Sequence, residues 1–227
     1  MPTFDLSLLP PAPDLSFEQA LWDSGLSVVA GIDEAGRGAL AGPVAAAAVV
    51  LPCDPGMAVR LQGVRDSKQM SPRQREEARE RIRAVALTWG VGLASSDEID
   101  TLGILPATRL AACRALEALN PLPDHLLLDY LFLPEIPLSQ TALVKGDCRS
   151  LSIAAASVLA KTARDALLRE LDACHPGYGF AAHKGYCTPG HLEALARLGP
   201  CAIHRRSFAP VRLLEVCLEP ATEEYSG

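Results

Sequence analysis

The sequence lacks the features that would place it in or across a membrane. Its longest apolar run, residues 39–51, is interrupted by Gly42 and Pro43 and is too short to span a bilayer. Its first 30 residues contain no lysine or arginine, so they fit neither a secretory signal nor a transit peptide. The seven cysteines are odd in number and include no CxxC pair, which disfavours a disulfide framework and a zinc ribbon. We therefore expect a cytoplasmic protein with free thiols and no membrane partner.

Basic residues are also absent from the first 36 residues of the chain. The net charge of the whole chain therefore hides an uneven distribution of charged residues. The 227 residues are 49% hydrophobic and 21% charged, typical of a globular protein, with a net charge of −6. The acid excess lies at the N-terminus, in the middle of the chain and in the tail. We predict a loose acidic leader over 1–24, one folded domain over 25–214 and an acidic tail over 215–227. Residues 60–83 and 145–214 carry an excess of lysine and arginine. These two basic blocks are candidate surfaces for binding a polyanion.

The pattern of apolar residues predicts an α/β fold that begins with a hairpin. No internal repeat interrupts this pattern. Apolar runs predict strands and amphipathic segments predict helices, with strands over 26–32, 44–51, 87–94, 126–128 and 141–144 and helices over 71–85, 104–119, 152–173 and 189–198. A hairpin followed by alternating strands and helices implies a mixed sheet with helices on its faces.

Acidic residues follow three of the predicted strands. Asp33 and Glu34 follow the first, Asp129 follows the fourth, and Asp147 lies shortly after the fifth. Solvated turns are the ordinary explanation for any one of these acids. Together at one sheet edge, however, they would repel one another, and a divalent cation would relieve that repulsion. An all-oxygen ligand set favours Mg²⁺ or Mn²⁺ over zinc, and two such ions can promote phosphoryl transfer.

Three further segments could contact a phosphate or a sugar. Gly36, Arg37 and Gly38 form a loop whose backbone could approach a ligand closely, although the same pattern also suits a tight turn. Ser67 and Lys68 precede the first basic helix, where Lys68 could reach a phosphate or the segment could simply lead into the helix.

The third segment, residues 178–186 (YGFAAHKGY), is predicted to be free of helix. Tyr186 could stack on a sugar or base beside a phosphate contact from Lys184, or the segment could be an ordinary surface loop. Lys161 and Arg164 share a helix face and could turn toward the same polyanion or toward solvent. Residues 204–206 (HRR) add to this basic block, and we expect replacement of Lys184 or Arg205 to reduce the salt dependence of binding.

Five segments together give the chain a close resemblance to the ribonuclease HII family. They occur in the family's order between about residues 28 and 212, and are GIDEAGRG (31–38), KGD (145–147), SIAAASVLAK (152–161), HKGY (183–186) and HRRSFAP (204–210).

The resemblance implies a ribonuclease H-like fold, with a mixed five-stranded sheet flanked by helices and a helical C-terminal part. It implies an endonuclease that cleaves the RNA strand of RNA–DNA hybrids and incises duplex DNA 5′ of single ribonucleotides. Separately from the resemblance, we expect a monomer, because no long exposed apolar stripe calls for a partner. Two divalent ions, Mn²⁺ or Mg²⁺, would be needed, and the products would carry 3′-hydroxyl and 5′-phosphate ends. The acids matching the family's metal-binding positions are Asp33, Glu34, Asp129 and Asp147. The residues matching its ribonucleotide-reading loop and stacking tyrosine are Gly36, Arg37, Gly38 and Tyr186.

Some features depart from the family, and other interpretations stay open. Tyr130 follows Asp129 where many relatives have glycine, so Glu135 or Asp124 are alternatives for the acid at this position. The related ribonuclease HIII family is disfavoured, because about 30 residues before the first strand leave no room for its extra domain and because the glycine loop carries Arg37. A non-catalytic hybrid-binding protein would be expected to have lost a carboxylate. A small-molecule phosphohydrolase would not need the basic blocks.

Overall fold

The computed structural model describes residues 5, 7 and 9–218, the side chains of 215–218 excepted. Its helices and strands alternate much as the sequence pattern predicts. In chain order the elements are α1 (Ser16–Asp23), β1 (Val29–Ala35), β2 (Val44–Val50), α2 (Met57–Arg60), α3 (Pro72–Val85), β3 (Thr88–Ala94), α4 (Ser96–Leu102), α5 (Ile104–Glu117), β4 (His125–Asp129), β5 (Ser139–Leu143), α6 (Leu151–Cys174), α7 (Phe180–His183), α8 (Pro189–Leu198) and α9 (Ala209–Leu218). Short 3-10 turns at Ser67–Gln69 and Gly146–Cys148 complete the set.

The five strands form one mixed sheet in the order β3-β2-β1-β4-β5. The first three strands pair antiparallel, whereas β4 pairs parallel with both β1 and β5. The expected mixed five-stranded sheet, its flanking helices and its helical C-terminal part are therefore confirmed.

The core lies on both faces of the sheet, and β2 is buried throughout. Successive strand residues point to opposite faces. Ala47 and Val49 accordingly join a cluster with residues of α3 and α6, whereas Ala46 and Ala48 join one with residues of α5. The small alanine side chains let the helices approach the sheet closely, and α6 crosses it behind β1 and β2.

The first strand lies further along the chain than the apolar run indicates. The prediction over 26–32 ends where polar residues begin, but pairing with β2 continues to Ala35, which is aligned with Ala45. Asp33 and Glu34 thus lie within the strand and not beyond it. Backbone pairing does not require apolar side chains. The length of a hydrophobic run therefore underestimates the length of a strand whose last residues are polar.

The predicted loose leader over 1–24 is wrong for its second half, because residues 16–23 form α1. Glu18 of this helix is fully buried. Four further helices lie outside the predicted ranges. They are α2, α9, α4, which follows a capping box at Ser95, and the single turn α7 inside the segment expected to be free of helix. The predicted acidic tail begins within α9, and residues 219–227 lie outside the described residues.

Two expectations concern the chain as a whole. Within residues 9–218, no helix has the length and apolar character needed to cross a membrane. The six cysteines whose side chains are described are free thiols.

Candidate active site

Strand pairing brings two of the predicted acids to the same edge of the sheet. In the parallel pair β1–β4, Ile32 is aligned with Leu128, so Asp33 and Asp129 follow at neighbouring positions. Asp147 reaches the same edge from the 3-10 turn after β5. Ligand oxygens of Asp33, Asp129 and Asp147 all lie within 4.8 Å of one another.

This acid cluster is poorly solvated and electrostatically strained. Asp33 and Asp147 are each only 3% exposed. Burial raises the pKa of Asp33 well above its ordinary value, and the charges of Glu34 and Asp129 raise it further. Burial and the charge of Asp147 likewise raise the pKa of Asp129 to about 6. The cluster therefore resists ionisation in the absence of a compensating positive charge.

Unsatisfied oxygens at the cluster fit a bound divalent cation. Among the described side chains, Asp33 Oδ2, Asp147 Oδ1 and Glu34 Oε2 are buried and lack a hydrogen-bond partner. A buried polar atom without a partner is costly, and such atoms call for an explanation. Carboxylate oxygens that converge without donors are suitable ligands for a hard cation such as Mg²⁺ or Mn²⁺.

Glu34 stands apart from the three clustered acids. It occupies the strand position after Asp33, but its carboxylate does not belong to the group of oxygens that lie within 4.8 Å of one another. Its Oε1 accepts a hydrogen bond from Arg37 Nη1 at 3.0 Å. Its charge still raises the pKa of Asp33 and Asp129, which places it at the rim of the cluster.

A cavity of about 200 Å³ adjoins the cluster and collects most of the predicted substrate-binding residues. Its lining consists of Glu34, Ala35, Gly36, Arg37, Gly38, Ser67, Lys68, Lys161 and Tyr186. The glycine loop and the Tyr186 segment both contribute to this lining. A 2.8 Å hydrogen bond from Leu40 N–H to Gly185 O joins the two segments.

The Tyr186 ring is held against two cations of α6. Lys161 Nζ and Arg164 Cζ each lie 5.3 Å from the ring centroid. Lys161 also lines the cavity, as one of the two α6 cations expected to face a polyanion. The ring and this ammonium group thus present a flat apolar surface beside a positive charge.

Ser67 and Lys68 differ in how far they are available to a ligand. The Ser67 hydroxyl is buried and accepts a hydrogen bond from Ser157 Oγ at 3.0 Å, which ties the turn to α6. The Lys68 side chain is 74% exposed, and its Nζ lies 4.0 Å from both Asp66 Oδ1 and Asp147 Oδ2. Of these two residues, Lys68 is therefore the one whose side chain is available to a ligand, and its ammonium group lies beside the acid cluster.

Lys184 lies in a different cavity from the other predicted substrate-binding residues. This larger cavity, of about 480 Å³, adjoins the first at Lys161 and Tyr186. Lys184 Nζ donates to the Ala181 carbonyl oxygen, and burial lowers the pKa of its ammonium group.

The expectation that Arg164, His204 and Arg205 contribute to an exposed basic surface is wrong. All three are at least 99% buried. Arg164 donates to the carbonyl oxygens of Ala41, Pro43 and Lys184. A salt-dependent phosphate contact is therefore not expected from these side chains.

Arg205 and Arg164 instead hold the glycine loop in place. Arg205 donates to Arg37 O and Gly42 O, each at 3.0 Å. The loop between β1 and β2 has carbonyl groups that no strand satisfies, and the two guanidinium groups supply the missing donors. The sequence shows only that these residues are basic. A basic residue can lie on an exposed surface that binds a polyanion, or it can be buried and satisfy backbone carbonyl groups, as these two do.

The structure also places three further acids, two that were alternatives and one that was not predicted. Asp124 accepts a hydrogen bond from Val28 N–H at the beginning of β4, the end opposite to Asp129, and Glu135 is exposed in the following loop. Asp66 was not predicted as a ligand, yet an oxygen of Asp66 lies within 4.8 Å of ligand atoms of Asp147 and Cys148. The signal that could have indicated it is its place in the Asp66-Ser67-Lys68 motif.

The family model and the curated relatives agree on one family. A family model described as Ribonuclease HII matches residues 30–211. A Ribonuclease HII from Pelobacter propionicus is 52% identical over 208 residues, covering 92% of this chain and 93% of the relative. One from Anaeromyxobacter sp. is 54% identical over 198 residues, covering 87% of this chain but only 62% of that relative's length.

Solved structures are similar in fold. The ribonuclease H2 from Pyrococcus horikoshii OT3 is 28% identical with a TM-score of 0.67, covering 83% of this chain and 97% of that one. Bst-RNase HIII in complex with Mn²⁺ is 20% identical with a TM-score of 0.67, covering 88% of this chain and 74% of that one. At 20% identity, the similarity to Bst-RNase HIII concerns the fold alone.

Proposed function

Because the chain belongs to the ribonuclease HII family of metal-dependent ribonuclease H enzymes, we propose that it cleaves the RNA strand of RNA–DNA hybrids and incises duplex DNA on the 5′ side of single ribonucleotides. The observation that carries this proposal is the convergence of Asp33, Asp129 and Asp147 beside the cavity formed by the glycine loop and Tyr186. The products would carry 3′-hydroxyl and 5′-phosphate ends.

The acids would hold two divalent ions, Mg²⁺ or Mn²⁺. Asp33, Asp129 and Asp147 offer converging oxygens, and Glu34 would add its carboxylate from the rim, releasing Arg37 from their ion pair. When bound, such ions supply Lewis acidity that activates a water molecule and stabilises charge on the departing 3′-oxygen. Lys68 stands 4.0 Å from Asp147, where its ammonium group balances the cluster and can approach a phosphate.

The ribonucleotide would be recognised in the cavity beside the acids. The backbone of residues 36–38 can approach the 2′-hydroxyl group, which is the group that distinguishes RNA from DNA. Tyr186 would stack on the following sugar, with its ring held near Lys161 and Arg164. Arg37 is exposed and can engage a phosphate once its pairing with Glu34 is released.

Lys184 would contribute less directly to binding. Its position in the adjoining cavity suits a contact with the duplex backbone beyond the cleaved bond, provided that its ammonium group leaves the Ala181 carbonyl. Ser67 would act through the turn that carries Lys68, since its hydroxyl is already engaged.

We also propose that the protein acts as a cytoplasmic monomer that removes ribonucleotides during DNA replication and repair. A molar mass near twice the 24.1 kDa of one chain, measured by analytical ultracentrifugation, would contradict the proposal that the protein is a monomer.

A non-catalytic hybrid-binding protein is the alternative, and the variant Asp33→Asn separates the two. The buried carboxylate becomes neutral without a change in size, so the protein should fold, bind the hybrid and lose cleavage by at least about 100-fold. Glu117→Gln, at the exposed end of α5, is the matched control and should cleave normally.

Cleavage of a labelled RNA–DNA hybrid and binding by fluorescence anisotropy would be measured in parallel. Wild-type protein that binds without cleaving in Mg²⁺ and Mn²⁺ would favour the non-catalytic alternative. Substantial cleavage by Asp33→Asn would contradict the assignment of the acids.

A further inference from the structure

A fully buried carboxylate, that of Glu18, lies outside the acid cluster and has no role in the chemistry described above. Glu18 of α1 is 0% exposed. Its Oε1 accepts hydrogen bonds from Ser150 Oγ at 2.6 Å, Ser152 Oγ at 2.6 Å and Ser152 N–H at 2.8 Å. Burying a carboxylate is unfavourable, and the three hydrogen bonds to Oε1 offset part of that cost, whereas the buried Oε2 has no partner among the described residues.

The serines that bind Glu18 are the beginning of α6. Ser150 is the N-cap of this helix, with its hydroxyl accepting from Ile153 N–H, and Ser152 is the second helical residue. A negative charge at a helix N-terminus is favourable, because the unpaired amide groups carry partial positive charge. Glu18 therefore fixes the first turn of α6 from the side of the leader.

The same turn presses against β1 just before the acid cluster. A Cβ atom on Gly31 would lie 2.2 Å from the backbone carbon of Ser152, so only glycine permits this approach. Gly31 is two residues before Asp33. The beginning of α6 thus contacts both β1 and Glu18.

From Ser150, a short chain of hydrogen bonds reaches the metal-binding acids. Ser150 N–H donates to Gly146 O at 2.9 Å, and Gly146 N–H donates to Asp129 Oδ1 at 2.7 Å. Asp147 is the next residue. The leader backbone adds a parallel restraint, since Leu151 N–H donates to Asp14 O at 2.8 Å.

We propose that Glu18 is a positioning residue, which fixes the segment 146–152 and thereby sets the carboxylates of Asp129 and Asp147 for divalent-ion binding. The inference rests on the proposed metal-dependent function and assigns to the leader a part in that site. Glu18 does not touch the ion or the substrate, and its effect passes through Ser150 and the 146–147 turn.

Metal affinity of the folded, substrate-free protein provides the test. Full-length wild type, Glu18→Ala, Glu18→Gln and Ser152→Ala would be freed of metal, and Mn²⁺ binding would be measured by electron paramagnetic resonance of the free ion. Loss of groups that orient metal ligands typically weakens affinity about 10- to 100-fold. We expect about 10-fold or more for Glu18→Ala, and a smaller loss for Glu18→Gln, which keeps one oxygen acceptor.

The control variant separates positioning from stability. Thr108→Val removes a fully buried hydroxyl that donates to Ile104 O at 2.7 Å within α5, on the other face of the sheet. It should lower the melting temperature without changing the dissociation constant for Mn²⁺. If Glu18→Ala behaves in the same way, Glu18 is merely structural and the inference is overturned.

The remaining outcomes are also decisive. If Glu18→Ala does not fold, Ser152→Ala decides, because weaker Mn²⁺ binding supports the inference and wild-type affinity overturns it. Wild-type protein that binds no Mn²⁺ overturns the proposed function, and the inference with it. Wild-type protein that binds Mn²⁺, together with variants that keep the wild-type affinity, overturns the inference alone.

Discussion

Replacing Gly36 by alanine should destabilise the protein sharply, whereas the same change at Gly38 should not. Gly36 has a φ of +92°, in the left-handed region that disfavours a side chain. A Cβ atom there would lie 2.0 Å from Arg164 Nε, a contact that no real structure tolerates. At Gly38, a Cβ atom would meet nothing within 4 Å. The two glycines of one motif thus serve different purposes.

The magnitude follows from what Gly36→Ala disturbs. The left-handed backbone costs about 1–2 kcal/mol for an ordinary residue. Arg164 must also move, and it donates hydrogen bonds to three backbone carbonyl groups in a fully buried environment. A hydrogen bond to a charged group contributes about 1.5–3 kcal/mol, so loss of only one brings the total to about 3 kcal/mol or more. For a chain of this size the melting temperature should fall by about 6–12 °C.

Calorimetry and substrate binding together provide the assay. Gly38→Ala should change the free energy of unfolding by less than about 0.5 kcal/mol, yet weaken hybrid binding if the loop backbone approaches the substrate. The reasoning is refuted if Gly36→Ala is as stable as Gly38→Ala. Normal hybrid binding by Gly38→Ala would refute the close approach of the loop.

Three other properties should respond to specific changes. Tyr186→Ala should reduce incision beside a single ribonucleotide about tenfold, since stacking contributes about 1–3 kcal/mol, whereas Tyr186→Phe should retain it; equal rates in an incision assay would contradict stacking. Because the pKa of Asp129 is raised from 3.8 to about 6, ionising it destabilises the metal-free fold increasingly between those pH values and fully above them. Mn²⁺ should therefore raise the melting temperature more above pH 6 than below pH 4, and scanning calorimetry showing equal shifts would count against a metal site there. Burial, and next the charge of His191, lower the pKa of His204 from 6.5 to about 4, so stability present above pH 6.5 should be lost as the pH falls toward 4. Urea titrations of His204→Asn should lack this loss, and an unchanged pH dependence would show that another group causes it.

Much of the fold follows from the sequence, because the buried strands and capped helices have strong local signals. Ser71, followed by proline and by Gln74, predicts the beginning of α3, and the structure has the full capping box there. The end of β1 could not be predicted in this way. Its last residues pair through the backbone with β2, and their side chains are polar for reasons that local hydrophobicity does not reveal.

The candidate site was predictable in its acids and less so in its supports. Asp33, Asp129 and Asp147 follow apolar runs that a parallel sheet brings to one edge, so their convergence was accessible to pattern reasoning. The buried environments of Arg164 and Glu18 could not be predicted from the sequence pattern. A buried arginine that satisfies loop carbonyls and a buried glutamate that satisfies a helix N-terminus both depend on contacts between segments more than 100 residues apart.

Incision of a DNA duplex carrying one ribonucleotide tests the central claim most directly. The strand would be end-labelled, incubated with Mg²⁺, with Mn²⁺ or with a chelator, and its products mapped at nucleotide resolution. The account predicts metal-dependent incision on the 5′ side of the ribonucleotide, leaving 3′-hydroxyl and 5′-phosphate ends. Cleavage that persists in the chelator, or an intact strand on a duplex that the protein binds, would contradict it.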